Sequence, residues 1–230
     1  MTGHLFDALC VGAHPDDVEI GMGATVAGIV RRGGRVVIVD LTNGEPTPHG
    51  TPETRRAESA KAATILGAER RTLSQPNRYL FDSVEARTEL AEVIREFRPR
   101  LLFVPFAQDA HPDHIAASSI ATAARFYSKF TKTSMSGEPW YPDRVYRYMA
   151  VHQRLVAEPS FIVDVSADMP TKIAALEAYE SQFRANPVNS GIVELMREQA
   201  TMWGALGRVG AGEPFFALEP IAISGVETLL

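Results

Sequence analysis

ALCVGAHPDDVEIGMGATVAGIVRRGGRVVIVDL, residues 8–41, reads as a strand, a helix and a second strand in immediate succession. Ala8 to Ala13 is a short apolar run of the kind that forms a buried strand. From Val18 to Arg31 the apolar positions Ile20, Val26, Ile29 and Val30 follow a helical spacing, and Gly33-Gly34 ends the helix, as glycine commonly does just past a C-terminus. Val36 to Leu41 is β-branched and predicts a second strand. The polar segment AHPDD, Ala13 to Asp17, falls at the junction where the first strand closes and the helix opens.

The same alternation continues outward. Thr42 to Pro52, rich in Thr, Pro, Gly and Asn, predicts a loop longer than the usual connection, a length often associated with function. A helix follows over about Pro52 to Leu66, with Thr51 as its cap and Gly67 as its stop. Arg71 to Leu73 reads as a short strand, Val84 to Phe97 as a helix ended by Pro99, and Leu101 to Pro105 as a buried strand. A loop from Phe106 to Asp113 then leads to a helix over about His114 to Tyr127. Thr131 to Asp143 reads as a surface excursion. Beyond it, Val145 to Val151 and Phe161 to Val165 have strand character, Met169 to Phe183 and Gly191 to Gly207 helical character, and Phe215 to Ile223 closes the chain. This order predicts one α/β domain over residues 1–230, a mostly parallel sheet with helices on both faces. In such sheets ligands bind at the carboxyl ends of the strands, where AHPDD, the Thr42 to Pro52 loop and HPDH (His111 to His114) would meet.

Composition narrows the function classes. Of the 230 residues 45% are hydrophobic and 22% charged, as in ordinary globular proteins. The net charge of −5 lacks the basic balance of a general nucleic-acid binder. The single cysteine, Cys10, lies in the first strand and reads as a buried small hydrophobe, which excludes an intramolecular disulfide and a cysteine-based metal site. MTGHLFDALC lacks the basic and apolar regions of a secretory leader, and no stretch approaches the ~18 apolar residues of a membrane span. A cytoplasmic enzyme with no membrane partner is expected.

The chemistry concentrates in the two HPD triplets. Histidine and aspartate supply the N and O ligands that suit zinc. His14 and Asp17, three apart at a turn into a helix, can face one ion, and His114 or His111 can supply a third ligand, leaving a coordination position open for water. Zinc lowers the pKa of such water to about 7. Asp16 must point elsewhere when Asp17 faces the metal, which suits a general base. His111 with Asp113 reads as an imidazole held protonated by a carboxylate, for an oxyanion or a leaving amine. A nucleotide-binding reading of Gly21, Gly23 and Asp40 fails, because the glycines come well after the strand and Asp16 and Asp17 would repel a pyrophosphate. Gly21 and Gly23 read instead as close helix-to-sheet packing. His4, His49 and His152 are isolated and read as structural.

AHPDD followed by HPDH after a later strand is similar to the LmbE-like, or PIG-L, family of zinc-dependent N-acetylglucosaminyl deacetylases. The likeness extends through VGAHPDDVEIGMGAT, VDLTNGE, TRRAESAKAATILGA, PNRYLFDS, IREFRPRLLFVP, FIVDVS and EAYESQF, which span most of the chain. These segments look like the branch that deacetylates N-acetylglucosaminyl malate in bacillithiol synthesis. The resemblance implies a Rossmann-like fold, His14, Asp17 and His114 as ligands to Zn2+ or another divalent metal such as Fe2+, and Asp16 as base with His111 and Asp113 as its catalytic partners. It further implies Arg55 in the substrate pocket, Thr42, Asn43 and Glu45 near sugar hydroxyls, a small substrate containing N-acetylglucosamine, and a homo-oligomer, with a hexamer as one form. One departure stands out: relatives often carry arginine directly before the second HPDH, where this chain has Ala110, and alanine cannot clamp a carboxylate. The remaining readings are deacetylation of an inositol glycoside of mycothiol synthesis or of an antibiotic precursor, cleavage of a thiol-conjugate amide, and a non-catalytic sugar-binding module. Intact Asp16, His111 and Asp113 argue against the last.

Overall fold

The computed structural model describes residues 3–149, 152 and 157–226. The chain runs β1 (Phe6–Gly12), α1 (Asp17–Arg31), β2 (Val36–Asp40), α2 (Pro52–Leu66), β3 (Glu69–Thr72), α3 (Val84–Phe97), β4 (Pro99–Val104), α4 (Pro112–Tyr127), β5 (Arg144–Tyr148), β6 (Phe161–Asp164), α5 (Met169–Glu177), α6 (Ile192–Gly207) and β7 (Gly212–Ala217). The seven strands form one sheet in the order β3-β2-β1-β4-β5-β7-β6. β1 pairs in parallel with β2 and β4, and β2–β3 and β4–β5 are also parallel, whereas β7 runs antiparallel between β5 and β6.

Strand periodicity divides the core into two layers. Ala8 and Cys10 of β1, with Val36 and Ile38 of β2, pack under α1, α2 and α5. Leu9, Val11, Val37 and Val39, alternating with them, pack under α3 and α4. Successive side chains of a strand point to opposite faces, so a sheet covered by helices on both faces needs continuously apolar strands, as residues 8–11 of β1 and 36–39 of β2 are. From β1 the chain winds outward through β2 and β3, then returns to lay β4 on the other side of β1. The strand order therefore reverses between β1 and β4, and the crevice at their carboxyl ends is the ligand position of such sheets.

The helix ends follow their local chemistry. The Thr51 hydroxyl caps α2 at the Thr54 amide, and Gly67 ends it at φ 70°. Helix α1 is broken at Met22 (φ −153°, ψ 23°). The groups freed there are satisfied by a buried ion pair. Glu213 accepts from the Ala24 and Thr25 amides at 3.2 and 2.7 Å, and Lys172 donates to the Ile20 carbonyl at 2.7 Å and to Glu213 at 2.6 Å.

Several boundaries differ from the sequence reading. The strand expected over Arg71 to Leu73 is Glu69–Thr72, a charged edge strand. The helix expected from Met169 to Phe183 ends at Glu177 and passes into a π-helical turn, Glu180–Arg184. Glu58 of α2 accepts from both the amide and the hydroxyl of Ser181 at 2.7 Å, which fastens that turn to α2. The closing strand is Gly212–Ala217 rather than Phe215 to Ile223. Pro214 hides its start from a propensity reading, yet the pairing with β5 stops at Tyr148–Phe215, one residue short of that proline. Of the strand expected from Val145 to Val151, the last two residues lie outside the described residues.

Candidate active site

The junctions after β1 and β4 place the two HPD triplets face to face. His14 Nδ1 lies 3.3 Å from His114 Nε2, and each nitrogen also faces Asp17, at 3.5 Å from His14 and 3.1 Å from His114. All three side chains are buried, and their ligand atoms fall within 4.8 Å of one another. His14, His111 and Asp113 also converge within that distance. The first set is the better cation site because the far nitrogen of each of its imidazoles is held by a carboxylate. His14 Nε2 meets Asp113 at 3.1 Å, and His114 Nδ1 meets Asp109 at 2.9 Å. Such outer carboxylates orient a ligating imidazole and raise its basicity.

The electrostatics follow from this crowding. Burial works against charge on His14, but Asp113 and Asp17 outweigh it and raise its pKa to about 9. Burial likewise opposes charge on His114, which Asp17 and Asp109 raise to about 10. Asp17 resists the effect of its own burial because both imidazoles face it, and its pKa lies well below the usual carboxylate range. Two basic nitrogens and a carboxylate aimed at one point form a donor set that fits a divalent metal.

Asp16 turns away from this cluster. Its backbone lies at φ 109°, a region that side chains rarely adopt. Burial raises its carboxyl to about pKa 7, and Arg55 limits the rise. Arg55, itself buried, donates from Nη2 to Asp16 at 2.8 Å and to the Pro15 carbonyl, while its Nε and Nη1 have no hydrogen-bond partner among the described residues. Strain at a residue packed against a cluster of ligands is a frequent mark of a functional site.

His111 and Asp113 do not form the expected pair. The Asp113 carboxylate accepts from His14 and from the backbone amides of Arg78 and Leu80, at 2.7 and 3.2 Å. His111 caps α4 instead, its Nδ1 accepting from the Asp113 amide at 3.1 Å. That acceptor role puts the ring proton on Nε2. With Nδ1 accepting, the ring is a neutral donor rather than the protonated imidazole expected, and burial with the neighbouring His14 and His114 lowers its pKa. Asn43 and Glu45 are not among the residues that line the cavity. The Asn43 side chain accepts from the Glu45 amide at 2.9 Å and the Glu45 carboxylate takes both the amide and hydroxyl of Thr47, so both serve the fold of their loop. Their neighbours Gly44, Pro46 and Thr47 line the cavity.

Sequence reasoning missed three contributors. Asp109 holds His114 and accepts from the His111 amide at 3.1 Å. It stands five residues before His114, and that local spacing was the available signal. His152 stacks on His114 with ring centroids 5.1 Å apart, brought there only by the fold. Arg78 reaches the cavity from the loop between β3 and α3. Ala110, where relatives were expected to carry arginine, is exposed next to Asp109 and His111. His14, Asp16, Asp17, Arg78, His111 and His152 line a cavity of about 950 Å³.

A family model for GlcNAc-PI de-N-acetylase (PIG-L) matches residues 9–125. The chain belongs to the PIG-L family. This PIG-L member is 30% identical over 186 residues to a diacetylchitobiose deacetylase of Thermococcus kodakarensis, a match covering 76% of this chain and 69% of the relative. It is 28% identical to the 1D-myo-inositol 2-acetamido-2-deoxy-alpha-D-glucopyranoside deacetylase 2 of Catenulispora acidiphila, over 91% of this chain and 87% of that one. Its fold is similar to the crystal structure of the conserved protein TT1542 from Thermus thermophilus, with TM-score 0.87, 39% identity and coverage of 95% of this chain and 97% of that one. This PIG-L member is an amide hydrolase of the N-acetylglucosamine deacetylase type.

Proposed function

We propose that residues 1–230 form one deacetylase domain that removes the N-acetyl group from a small N-acetylglucosamine conjugate, using zinc held by His14, Asp17 and His114. The convergence of those three side chains beside Asp16 carries the reading. A divalent metal in that position supplies Lewis-acid polarisation of the amide carbonyl and makes nearby water more acidic. Asp16, with a pKa near neutrality, takes the proton from the attacking water and returns it to the amine nitrogen as the C–N bond breaks, releasing acetate and the free amino sugar. His111 donates from Nε2 to the carbonyl oxygen as negative charge develops there. Arg55 fixes the Asp16 carboxylate, and its Nε and Nη1 are buried without a hydrogen-bond partner among the described residues.

Two aglycones compete. The sequence resemblance favours malate, as in bacillithiol synthesis, and the similarity to inositol-glycoside deacetylases favours inositol equally. Exposed Ala110 removes one means of holding a malyl carboxylate. Acetate release from N-acetylglucosaminyl malate, the inositol glycoside and methyl N-acetylglucosaminide, with Asp16→Asn as control, tests the reading. The reading fails if none of these substrates yields acetate in the zinc-loaded protein. We further assign a cytoplasmic homo-oligomer, which sedimentation of the purified protein checks; no helix among the described residues is long and apolar enough to cross a membrane.

A further inference from the structure

The cavity lining has two unlike parts. One holds Asp16, Arg55 and Arg78, with the polar loop residues Thr47 and Asn77. A second part of the lining, from a different stretch of the chain, comes from the π-helical turn, the 3-10 turn Pro187–Asn189 and one face of α6. Ile192, Leu195, Met202 and Trp203 recur there at helical spacing, joined by Phe183 and Val188. Among the described residues this wall carries no charge, and its polar members are the amides Gln182, Asn189 and Gln199. Leu195 is 37%, Met202 44% and Val188 90% exposed, so apolar surface is offered to the cavity rather than spent on the core. Isolated exposed apolar residues are ordinary, but a contiguous group facing a reactive centre marks a binding surface.

We infer that this wall is a subsite for an apolar group carried by the substrate, so that the protein prefers N-acylglucosamine compounds bearing an alkyl or aryl substituent over those bearing only polar ones. The inference rests on the proposed deacetylation and deepens it. Three observations support this occupant. The wall lines the same cavity as His14, Asp16 and His111, so one ligand can touch both. About 950 Å³ lies at the upper end of the range for pockets that take drug-sized ligands and exceeds what one sugar ring needs. A malyl carboxylate or a bare inositol would leave the uncharged α6 face without a partner, whereas an apolar substituent removes that face from water.

The substituent can enter on the glycosidic side or the acyl side, and two arms separate these. Octyl N-acetylglucosaminide and methyl N-octanoylglucosaminide are each compared with methyl N-acetylglucosaminide, both for kcat/KM and for binding to zinc-loaded Asp16→Asn by calorimetry. At least one arm is expected to bind about tenfold more tightly or better, mainly through KM. In Leu195→Ser/Met202→Ser, whose positions are partly exposed and tolerate polarity, that ratio is expected to fall towards one. Equal binding of all three probes overturns the inference, as does a ratio the double variant leaves intact, or a double variant that changes only the oligomeric state. Tighter octyl binding without acetate release from any probe leaves the subsite standing and removes the deacetylation reading instead.

Discussion

At Asp16 the backbone is held at φ 109°, where most side chains are strained but Asn and Asp are tolerated. Asp16→Asn therefore keeps the local conformation while removing the proton acceptor. The expected result is a kcat lowered by about 10²- to 10⁴-fold with metal content unchanged by elemental analysis. A parallel loss of metal would reassign the residue to ligation. Asp109 and Asp113 act one step further out. Each holds the far nitrogen of a candidate ligand, so Asp109→Asn is expected to weaken zinc affinity by about 10- to 100-fold, read by competition with a chromogenic chelator. An unchanged affinity would confine Asp109 to shaping its loop, through the amides of His111 and His152.

Helix α1 shows how an element is built around the site. Its first turn carries Asp17, and the break at Met22 separates that turn from the rest of the helix. The Lys172–Glu213 pair, 3% and 2% exposed, bridges the break by serving both the freed carbonyl and the freed amides. Glu213→Ala leaves a buried ammonium and unpaired amides, an expected cost of about 3–5 kcal/mol in denaturant unfolding. A cost under about 1 kcal/mol would mean that water replaces the carboxylate there. Gly21 is tied to the same region: a Cβ at that position would overlap the ring of Tyr148, whose hydroxyl donates to the Val11 carbonyl at 2.8 Å. Gly21→Ala is expected to lower stability by about 1–3 kcal/mol through overpacking, by the same measurement. A neutral result would show that Tyr148 shifts freely.

For the whole molecule, the decisive feature is the reversal of strand order between β1 and β4. It brings the ends of two strands far apart in sequence to one crevice, where residue 14 meets residue 114. If those ends share a metal, chelation is expected to abolish acetate release and zinc to restore it. Because the protonated imidazoles must lose protons to ligate, uptake is expected to release protons, and affinity to fall as the pH falls. Titrating zinc in two buffers of different protonation enthalpy checks this. Acetate release that survives exhaustive chelation at full rate would sink the metal assignment.

Much of this was legible in the chain. Apolar runs at strand length, helical spacing and glycine stops located β1, α1, β2, α2 and α3 closely, because these are local properties. The HPD triplets identified His14, Asp16, Asp17 and His114 for the same reason: residue type and spacing at a strand-to-helix junction are written in order along the sequence. The π-helical turn, the placement of β7 and the broken α1 were not legible, since Glu58, Tyr148 and Glu213 act on them from distant positions. Nor was the division of labour among the carboxylates, where Asp113 holds His14 across 99 residues instead of the His111 two positions away. A hydrogen bond is decided by direction and distance in space. Sequence by itself determined which chemical groups this protein has and at which strand ends they stand; the tertiary structure alone decided which of them touch.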